Sequence, residues 1–294
     1  MSRIEKSLEE ALRARRTAQK APAQQDAPGQ AGSASPKFQP IEVPLVKLED
    51  VDKRIVCIRE PNSYIAEQYR KLRARIKSLP VDALNSILVT SSAIGEGKTV
   101  TSINLAVAIA NEIDNTVLLV DTDLRNPTVH RYLGLQPQAG LSDYLKGEVE
   151  LRDVLIKTGI GRLMVLPAGN MPENPSELLS SEKMRSLAGE LKKRYSDRYV
   201  VYDSSPLLVT ADAVTLARHM DGILFVMSAG RTTHKSAKRA MQLLKGCRIL
   251  GVVFNNIQEQ LARHMYPYPY YGSAYGKGKK AVPAGNSGSG AKGK

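Results

Sequence analysis

A glycine-rich segment that ends in lysine and threonine follows an apolar run in the first third of the chain. The run Ser86–Thr90 leads into Ser91–Thr99, whose sequence is Ser-Ser-Ala-Ile-Gly-Glu-Gly-Lys-Thr. Glycines let backbone amides turn toward an anion, and a following helix adds the partial positive charge of its N-terminus. Lys98 can then reach β- and γ-phosphates, and the Thr99 hydroxyl can bind Mg²⁺. The strict phosphate-loop pattern has glycine at the position of Ser92, so the alternative is a glycine-rich turn that binds nothing. The residues predicted to contact the nucleotide are Ile94, Gly95, Glu96, Gly97, Lys98, Thr99 and Val100.

Three carboxylates follow two other apolar runs. Asp121 ends the run Val117–Asp121, Asp123 comes two residues later, and Asp203 ends the run Tyr199–Asp203. Because side chains alternate along a strand, Asp121 and Asp123 should point the same way. We expect one of them to bind Mg²⁺ or its waters and the other to accept a proton from an attacking hydroxyl. Asp203 would hold the water shell of the metal. The alternative for the pair is a cap of the following turn.

A repeating pattern of strands and helices places these motifs. The predicted strands are Ser86–Thr90, Val117–Asp121, Leu163–Leu166, Tyr199–Asp203, Ile223–Met227 and Ile249–Phe254. Helices are predicted at 99–112, 176–194, 211–219 and 233–246, and Pro61 opens an earlier helix that runs to about Lys77. Apolar strands that alternate with helices indicate an α/β fold with a doubly wound, mostly parallel sheet covered on both faces. Ligands of such folds bind beyond the carboxyl ends of the strands.

The composition divides the 294 residues into one central domain and two extensions. Residues 1–19 show an amphipathic helical pattern, and residues 20–44 are rich in Ala, Gln, Gly, Ser and Pro, which is typical of a flexible linker. The strand–helix pattern occupies residues 45–258. Gly, Ser, Lys and Tyr dominate residues 259–294, so a flexible tail is predicted there. We expect both extensions to be disordered.

The charge and the apolar runs restrict the class of protein. Many of the cations behind the net charge of +13 lie in the two extensions, which argues against specific nucleic-acid binding. No run approaches the ~18 apolar residues of a membrane span, and the N-terminus is too polar for a signal peptide. A cytoplasmic protein is therefore expected. The two cysteines are predicted to be free thiols, and the four histidines lack metal-ligand spacing, so no metal other than Mg²⁺ is expected.

Five of the twelve tyrosines lie within ten residues near the C-terminus. They are Tyr266, Tyr268, Tyr270, Tyr271 and Tyr275. The segment could be a sticky, disordered tail without a role in catalysis. Beside a site that handles ATP, the cluster is better interpreted as a set of phosphate acceptors. Each phosphate would add −1.5 to −2 charges to a tail that also contains lysines.

These features together resemble the bacterial tyrosine kinases (BY-kinases) of exopolysaccharide synthesis and export. The resemblance covers about residues 60–256 and the tail. It rests on the loop at 91–99, the doubled Asp121 and Asp123 followed by Leu-Arg-x-Pro, Asp203, the tyrosine cluster, and Glu67-x-x-Arg70-x-x-Arg73. The first residues, Met-Ser-Arg-Ile-Glu-Lys-Ser-Leu, are similar to the subgroup associated with exosortase loci. The implied fold is the P-loop NTPase-like fold of the MinD and ParA proteins.

The resemblance implies an ATP- and Mg²⁺-dependent protein-tyrosine autokinase. Lys98, Asp121 and Asp123 are its candidate catalytic residues, and Asp121 would be the base toward tyrosine. The metal would be held by Thr99, Asp123 and Asp203. Asn255, after the last strand, would contact the adenine. In two departures from the family pattern, Ile94 replaces a frequent proline and Ser204-Ser205 replaces a Thr-Pro type pair, which affects the expected loop geometry but removes no proposed ligand.

The same resemblance implies partners. Glu67, Arg70 and Arg73 would mediate ring-like self-association, which we prefer on the resemblance, although a solvated intrahelical pair would also explain the spacing of Glu67 and Arg70. The tail would be phosphorylated in trans, and a membrane adaptor, a polysaccharide co-polymerase protein, would recruit the chain to the inner face of the plasma membrane. The alternative is a ParA/MinD-like switch ATPase without kinase activity. Such proteins usually carry an extra lysine early in the loop, which this chain lacks, and they need no clustered tyrosines.

Overall fold

A seven-stranded sheet with helices on both faces forms the centre of the chain. The computed structural model describes residues 46–79, 84–193 and 198–257. The strands are β1 (Ser86–Ser91), β2 (Thr116–Asp121), β3 (Ile156–Lys157), β4 (Leu163–Leu166), β5 (Arg198–Asp203), β6 (Gly222–Ser228) and β7 (Ile249–Asn255). Their order in the sheet is β3-β4-β2-β5-β1-β6-β7, and only the short β3 runs antiparallel to its neighbour. The predicted doubly wound, mostly parallel α/β fold is confirmed, whereas the two predicted extensions lie outside the described residues.

Ten α-helices lie in the described ranges, together with a short 3₁₀ helix at Leu48–Asp50. The α-helices are α1 (Val56–Arg59), α2 (Tyr64–Lys77), α3 (Lys98–Ala110), α4 (Val129–Tyr132), α5 (Leu141–Lys146), α6 (Leu151–Val154), α7 (Pro175–Ser180), α8 (Glu182–Lys193), α9 (Asp212–Ala217) and α10 (His234–Leu243). The predicted start of α2 at Pro61 is three residues early, because Ser63 caps the helix by accepting a hydrogen bond from Ala66 N.

The single helix predicted over 176–194 is wrong. Ser181 has an extended backbone, with φ −64° and ψ 156°, and it separates α7 from α8. Its hydroxyl oxygen accepts a hydrogen bond from Met184 N at 3.1 Å, so it acts as the N-cap of the second helix. The strand β3 and the short helices α1, α4, α5 and α6 were not predicted.

The two faces of the sheet bury separate apolar cores. On the central strand β1, Ile87 and Val89 pack with residues of α1 to α4 on one face, whereas Leu88 packs with residues of α5 to α10 on the other. This alternation is the pleat of a strand that is buried on both sides. At the edge strand β7, Val252 and Phe254 are 53% and 47% exposed, so coverage by the described residues ends there.

The strand order brings the predicted motifs to one edge of the sheet. β5 lies between β1 and β2, and Asp203 is the direct register partner of Asp121 on one side and of Val89 on the other. The carboxyl ends of these parallel strands therefore carry both carboxylates next to the loop that follows β1. None of the helices in the described ranges is long and apolar enough to cross a membrane.

Candidate active site

The glycine-rich loop between β1 and α3 has a backbone that requires glycine at two positions. Gly95 and Gly97 have φ values of +79° and +94°, in the left-handed region that favours glycine. A Cβ atom at Gly97 would also overlap the side-chain amide of Asn255. Gly97 is the N-cap of α3, so the free amides of the loop and of the first helical turn face one small region. This is the geometry of an anion-binding loop.

Lys98 and Asp123 form a buried ion pair at this loop. The Lys98 Nζ atom lies 2.9 Å from Asp123 Oδ2. Burial alone would lower the pKa of Lys98, but the carboxylates of Asp203 and Asp123 outweigh it and raise that pKa. The lysine therefore stays a cation in a site with little water, as a residue that contacts phosphates must.

Asp203 accepts hydrogen bonds from two hydroxyl groups of α3. Thr99 Oγ1 donates to Asp203 Oδ2 at 2.7 Å, and Ser102 Oγ donates to Asp203 Oδ1 at 3.0 Å. Thr128 Oγ1 lies 3.3 Å from Thr99 Oγ1 and links this pair to the loop after β2. Asp203 is fully buried, and burial raises its pKa, although Lys98 and the two hydroxyl groups oppose the rise. Ser102 and Thr128 were not predicted as site residues.

Asp121 uses both carboxylate oxygens to hold the turn that follows β2. Its Oδ2 accepts from the backbone amides of Thr128 and Val129, each at 3.1 Å, and its Oδ1 accepts from Asp123 N at 3.2 Å. These are the contacts of the capping alternative. Burial and then the charge of Asp203 raise the pKa of Asp121, while the amide of Val129 partly offsets this. Its role as a base stays a prediction.

The donors at this site fit a small divalent cation. The buried carboxyl groups of Asp121, Asp123 and Asp203 lie near one lysine, and the raised pKa values of Asp121 and Asp203 mean that a further cation would favour their ionised forms. In the described ranges no group of three or more His, Cys, Asp or Glu side chains is close enough to enclose a metal. Mg²⁺ fits such a site, because it prefers oxygen ligands and usually combines one or two carboxylates with phosphate oxygens and water.

Two predicted nucleotide contacts face the protein instead of the loop interior. The Glu96 side chain is buried and accepts hydrogen bonds from Ser92, Ala93 and Thr232. The Asn255 amide donates to the backbone carbonyl of Glu96 at 3.1 Å. Asn255 therefore supports the loop from outside, and its predicted contact with adenine is untested. Thr232 was missed, since it lies 136 residues from its partner Glu96 and follows no local motif.

Comparison with known proteins identifies the family. Residues 87–267 match the family model described as the CobQ/CobB/MinD/ParA nucleotide binding domain. The tyrosine-protein kinase YwqD of Bacillus subtilis is 37% identical over 226 residues, which cover 76% of this chain and 93% of YwqD. The tyrosine-protein kinase CpsD of Streptococcus agalactiae is 31% identical over 237 residues, which cover 79% and 97% of the two chains. The chain belongs to the bacterial tyrosine-protein kinases.

Solved structures agree with this assignment. The chimerical protein CapA2B2 matches with a TM-score of 0.66 and 32% identity, covering 74% of this chain and 96% of its own. The kinase domain of the Escherichia coli tyrosine kinase ETK matches with a TM-score of 0.66 and 30% identity, covering 73% and 85%. The cell division ATPase MinD of Pyrococcus furiosus reaches a TM-score of 0.50 at 25% identity, covering 63% and 81%. The switch-ATPase alternative is therefore less well supported than an ATP-using tyrosine kinase, and the exosortase subgroup stays a prediction.

Arg125 of the kinase connects the loop after β2 to α7 and α9. Its Nε donates to Asp212 Oδ2 at 3.0 Å, and its Nη2 donates to Ser176 Oγ at 2.8 Å. The Ser176 hydroxyl in turn donates to Asp212 Oδ1 at 2.5 Å. The Leu-Arg-x-Pro motif thus has a structural role beside the site. It fixes the loop that carries Asp123 against two helices of the second face.

A groove of about 250 Å³ lies beside Thr128 of the kinase. It is lined by Asp52, Arg54, Thr128, Arg131 and Tyr132. Arg54 donates to both carboxylate oxygens of Asp52 and lies over the Tyr132 ring, 4.7 Å from its centroid. Its hydrogen bond to Asp52 lowers the pKa of that carboxyl to about 2. Thr128, which lines the groove, also contacts Thr99 at the start of α3.

The residues predicted to mediate self-association differ in their surroundings. Arg70 donates to Glu67 at 2.6 Å and to the carbonyl of Pro61 at 2.8 Å, on an exposed part of α2. Arg73 lies against α3, where it donates to the carbonyl of Ala108 at 2.7 Å. Self-association through this helix is untested. The five predicted acceptor tyrosines lie outside the described residues.

Proposed function

We propose that the chain is a MgATP-dependent autokinase that phosphorylates the tyrosine cluster of its own C-terminal tail, on a neighbouring copy. The observation that carries this proposal is the buried cluster in which Lys98 meets Asp123 and Thr99 meets Asp203, directly below an anion-binding loop. Tyrosine as the acceptor is supported by the family to which the chain belongs and by the five clustered tyrosines.

Binding of ATP would use the loop amides and Lys98. The ammonium group would exchange its contact with Asp123 for the β- and γ-phosphates, which carry more negative charge. Thr99, Asp123 and Asp203 would hold Mg²⁺, directly or through water. When bound, Mg²⁺ neutralises charge that develops on the phosphate oxygens. Lys98 and the loop amides would also stabilise this charge.

Transfer of the phosphoryl group requires a proton acceptor for the tyrosine hydroxyl. The bond from the γ-phosphorus to the bridging oxygen of ADP breaks as a bond to the tyrosine oxygen forms. We assign the phenolic proton to the ionised form of Asp121, because the raised pKa makes that carboxylate a stronger base than an ordinary one. Movement of the turn after β2 would free an oxygen of Asp121 from the amides of Thr128 and Val129.

The groove beside Thr128 is the proposed approach of the acceptor. Its lining residue Thr128 contacts Thr99, and its volume of about 250 Å³ admits a single aromatic side chain. Arg54 would attract the phosphorylated product only weakly, since Asp52 already pairs with Arg54. Residues 265–276, which contain the five tyrosines, carry no charge. An unphosphorylated tail would therefore meet no electrostatic barrier at the groove.

The wider assignment follows from the family resemblance. The kinase would regulate exopolysaccharide synthesis or export, assemble into a ring-like homo-oligomer and be recruited to the inner face of the plasma membrane by an adaptor protein. Phosphorylation of the tail would reverse its charge near Lys277, Lys279 and Lys280, which would favour its release from a neighbouring site.

A mixing experiment tests the function and its direction. Chains with Lys98→Ala and an intact tail are incubated in MgATP with active chains truncated after Ala262, and phosphate is mapped by intact-mass and peptide mass spectrometry. We expect phosphate on tyrosines 266–275 of the Lys98→Ala chain, and none when each protein is incubated alone or when the partner carries Asp121→Ala. The mixture is repeated with the membrane adaptor present. ATP hydrolysis without phosphotyrosine in both mixtures would instead support the switch ATPase.

A further inference from the structure

We propose that Glu96 is a positioning residue that fastens the phosphate loop to the loop between β6 and α10 through Thr232. We call Ser92, Ala93, Glu96 and Thr232 the clasp. By holding the phosphate loop in its binding shape before ATP arrives, the clasp sets the affinity for nucleotide and leaves the rate of phosphoryl transfer nearly unchanged. The inference rests on the proposed function only in taking this loop as the ATP site.

The contacts of the clasp account for both oxygens of the Glu96 carboxylate. Ser92 Oγ lies 2.8 Å from Oε1 and 2.9 Å from Oε2, and Ala93 N donates to Oε2 at 2.9 Å. Thr232 Oγ1 donates to Oε1 at 2.5 Å. Glu96 is only 2% exposed, so these bonds replace water that the buried carboxylate has lost.

A carboxylate in a phosphate loop would normally oppose binding of an anion. Here the charge of Glu96 points into the protein and is met by two hydroxyl groups and one amide. The amide of Ala93 is thereby assigned to the clasp, which leaves the amides from Ile94 onward for phosphate. The carboxylate thus holds the loop through contacts with the protein, and the amides from Ile94 onward stay free to bind an anion.

The second loop is itself held rigidly. Thr232 Oγ1 accepts a hydrogen bond from Ser228 N at 2.8 Å, and Thr232 N donates to the Ser228 carbonyl at 3.0 Å. In the same loop Arg231 Nη1 lies 3.3 Å from the carbonyl of Gly95, which gives a second contact to the phosphate loop. Ala229 N also donates to the carbonyl of Asn255, the residue whose side chain supports Glu96 from β7. The phosphate loop is therefore attached to the ends of two strands that follow it by more than a hundred residues.

The consequence is a division between affinity and rate. A loop that is already ordered loses less conformational entropy when ATP binds, so removing the clasp should weaken ATP and ADP alike. Lys98, Thr99 and the carboxylates are not part of the clasp, and their positions relative to the bound phosphates should be restored once nucleotide saturates the site. Uniform loss of binding raises KM and leaves kcat nearly unchanged.

The test compares Thr232→Val with its matched control Thr232→Ser in the full chain. Valine keeps the size of threonine but removes the hydroxyl, whereas serine retains it. Affinity for ADP and ATP is measured by isothermal titration calorimetry, and KM and kcat for ATP by the rate of phosphotyrosine formation. We expect Thr232→Val to weaken both nucleotides and raise KM about 10-fold, with kcat within about twofold. Thr232→Ser should stay close to wild type.

Glu96→Gln provides the second variant and the double-mutant cycle. A glutamine side chain ends in one oxygen that accepts and one NH₂ group that donates, so it cannot accept hydrogen bonds from Ser92, Ala93 and Thr232 as the carboxylate does. We therefore expect the same direction of change as for Thr232→Val. The double variant should be no weaker than the worse single variant, because both changes break one network. Additive losses, an unchanged KM, or a fall in kcat alone would overturn the proposal. Thr232→Ala replaces Thr232→Val if the latter lowers the melting temperature.

Nucleotide affinity separates this inference from the proposed function. Calorimetry needs no acceptor tyrosine, so a clasp effect on ADP binding would stand even if no phosphotyrosine formed. Conversely, phosphotyrosine formation with unchanged affinity in Thr232→Val would support the autokinase and refute the clasp.

Discussion

The Thr99 hydroxyl is the most sharply defined single group of the site. It donates to Asp203 at 2.7 Å and lies 3.3 Å from the Thr128 hydroxyl, so its position is fixed before any ligand binds. Thr99→Val removes the hydroxyl at constant size, whereas Thr99→Ser keeps it. We expect valine to lower the rate of phosphotyrosine formation by about 10²–10³-fold and to raise the Mg²⁺ concentration needed for half-maximal rate. Serine should remain within about fivefold of wild type.

Circular dichroism and a Mg²⁺ titration of the rate distinguish the causes. Equal rates for the valine and serine variants would exclude a metal-binding role for the hydroxyl. A rate loss in the valine variant that does not depend on the Mg²⁺ concentration would show that the Thr99 hydroxyl only maintains the conformation of the loop.

For single residues, the sequence predicted which side chains form the candidate site but not all of their contacts. The structure brings Lys98, Thr99, Asp123 and Asp203 together as predicted. Lys98 and Thr99 follow one loop, and the two carboxylates lie at or just after the ends of neighbouring strands, so the sequence pattern was sufficient to predict their proximity. The direction of the Glu96 side chain followed from no local pattern. Ser92 and Ala93 donate to it from within the loop, and Thr232, which only the completed sheet brings near, supplies the third donor.

At the scale of strands and helices, Asp221, which lies just before β6, joins the start of β1 to α8. Its Oδ2 accepts from Asn85 N, Ser86 N and Ser86 Oγ at the start of β1, and its Oδ1 is paired with Lys192 of α8. Burial raises the pKa of Asp221, but the bonds from Lys192 and Ser86 outweigh it, so the pKa is lowered overall. The ionised form thus stabilises the fold.

The sign of the pH dependence follows from that shift. With its pKa lowered in the folded state, Asp221 contributes stability above its unfolded value of about 3.9, and this is lost as pH falls through the folded pKa. We expect Asp221→Asn to lower the free energy of unfolding at pH 7 by about 1–3 kcal/mol. Urea unfolding at pH 7, 5 and 3 should show this deficit shrinking below about pH 4. A deficit that is the same at all three pH values would refute the assignment, and the exposed Asp114→Asn serves as control.

The elements around Arg125 supply a second prediction. Arg125 joins Asp212 and Ser176, and the Asp212 side chain is nearly inaccessible to water. Arg125→Ala should lower the free energy of unfolding by about 1–3 kcal/mol, since it leaves a buried carboxylate with fewer partners. Arg125→Lys should recover only part of this, because a lysine lacks the planar fork that reaches both residues. Full recovery by lysine in urea unfolding would show that charge alone matters.

Element boundaries show where prediction from sequence reached its limit. The six strands other than β3 were predicted correctly in type because each is a short, apolar, largely β-branched run, as in β2 and β5. The break at Ser181 was missed, since helical residues continue on both sides and only the capping bond to Met184 reveals it. The two residues of β3 are too few to produce a periodic signal, and their pairing depends on β4.

The whole molecule raises the question of how copies of the kinase associate. The helix α2 presents Glu67 and Arg70, whose side chains are 46% and 38% exposed and form an intrahelical pair. Arg73 is only 19% exposed and bonds to Glu112 and the end of α3. Substitution of both arginines would therefore mix a change in self-association with a change in folding.

Arg70→Glu separates these effects. The charge reversal places two carboxylates three residues apart on α2, which costs the monomer only about 0.2–0.5 kcal/mol. Arg73→Ala removes contacts between α2 and α3 and should lower the melting temperature of the isolated chain by several degrees. If α2 mediates association, Arg70→Glu reduces the particle mass in analytical ultracentrifugation at an unchanged melting temperature. Lys71→Glu, an equal charge reversal at an exposed position of the same helix, should leave the mass unaltered. A wild-type mass for Arg70→Glu would remove this helix from the interface, and trans-phosphorylation in the mixed experiment would then need another surface to bring tail and site together.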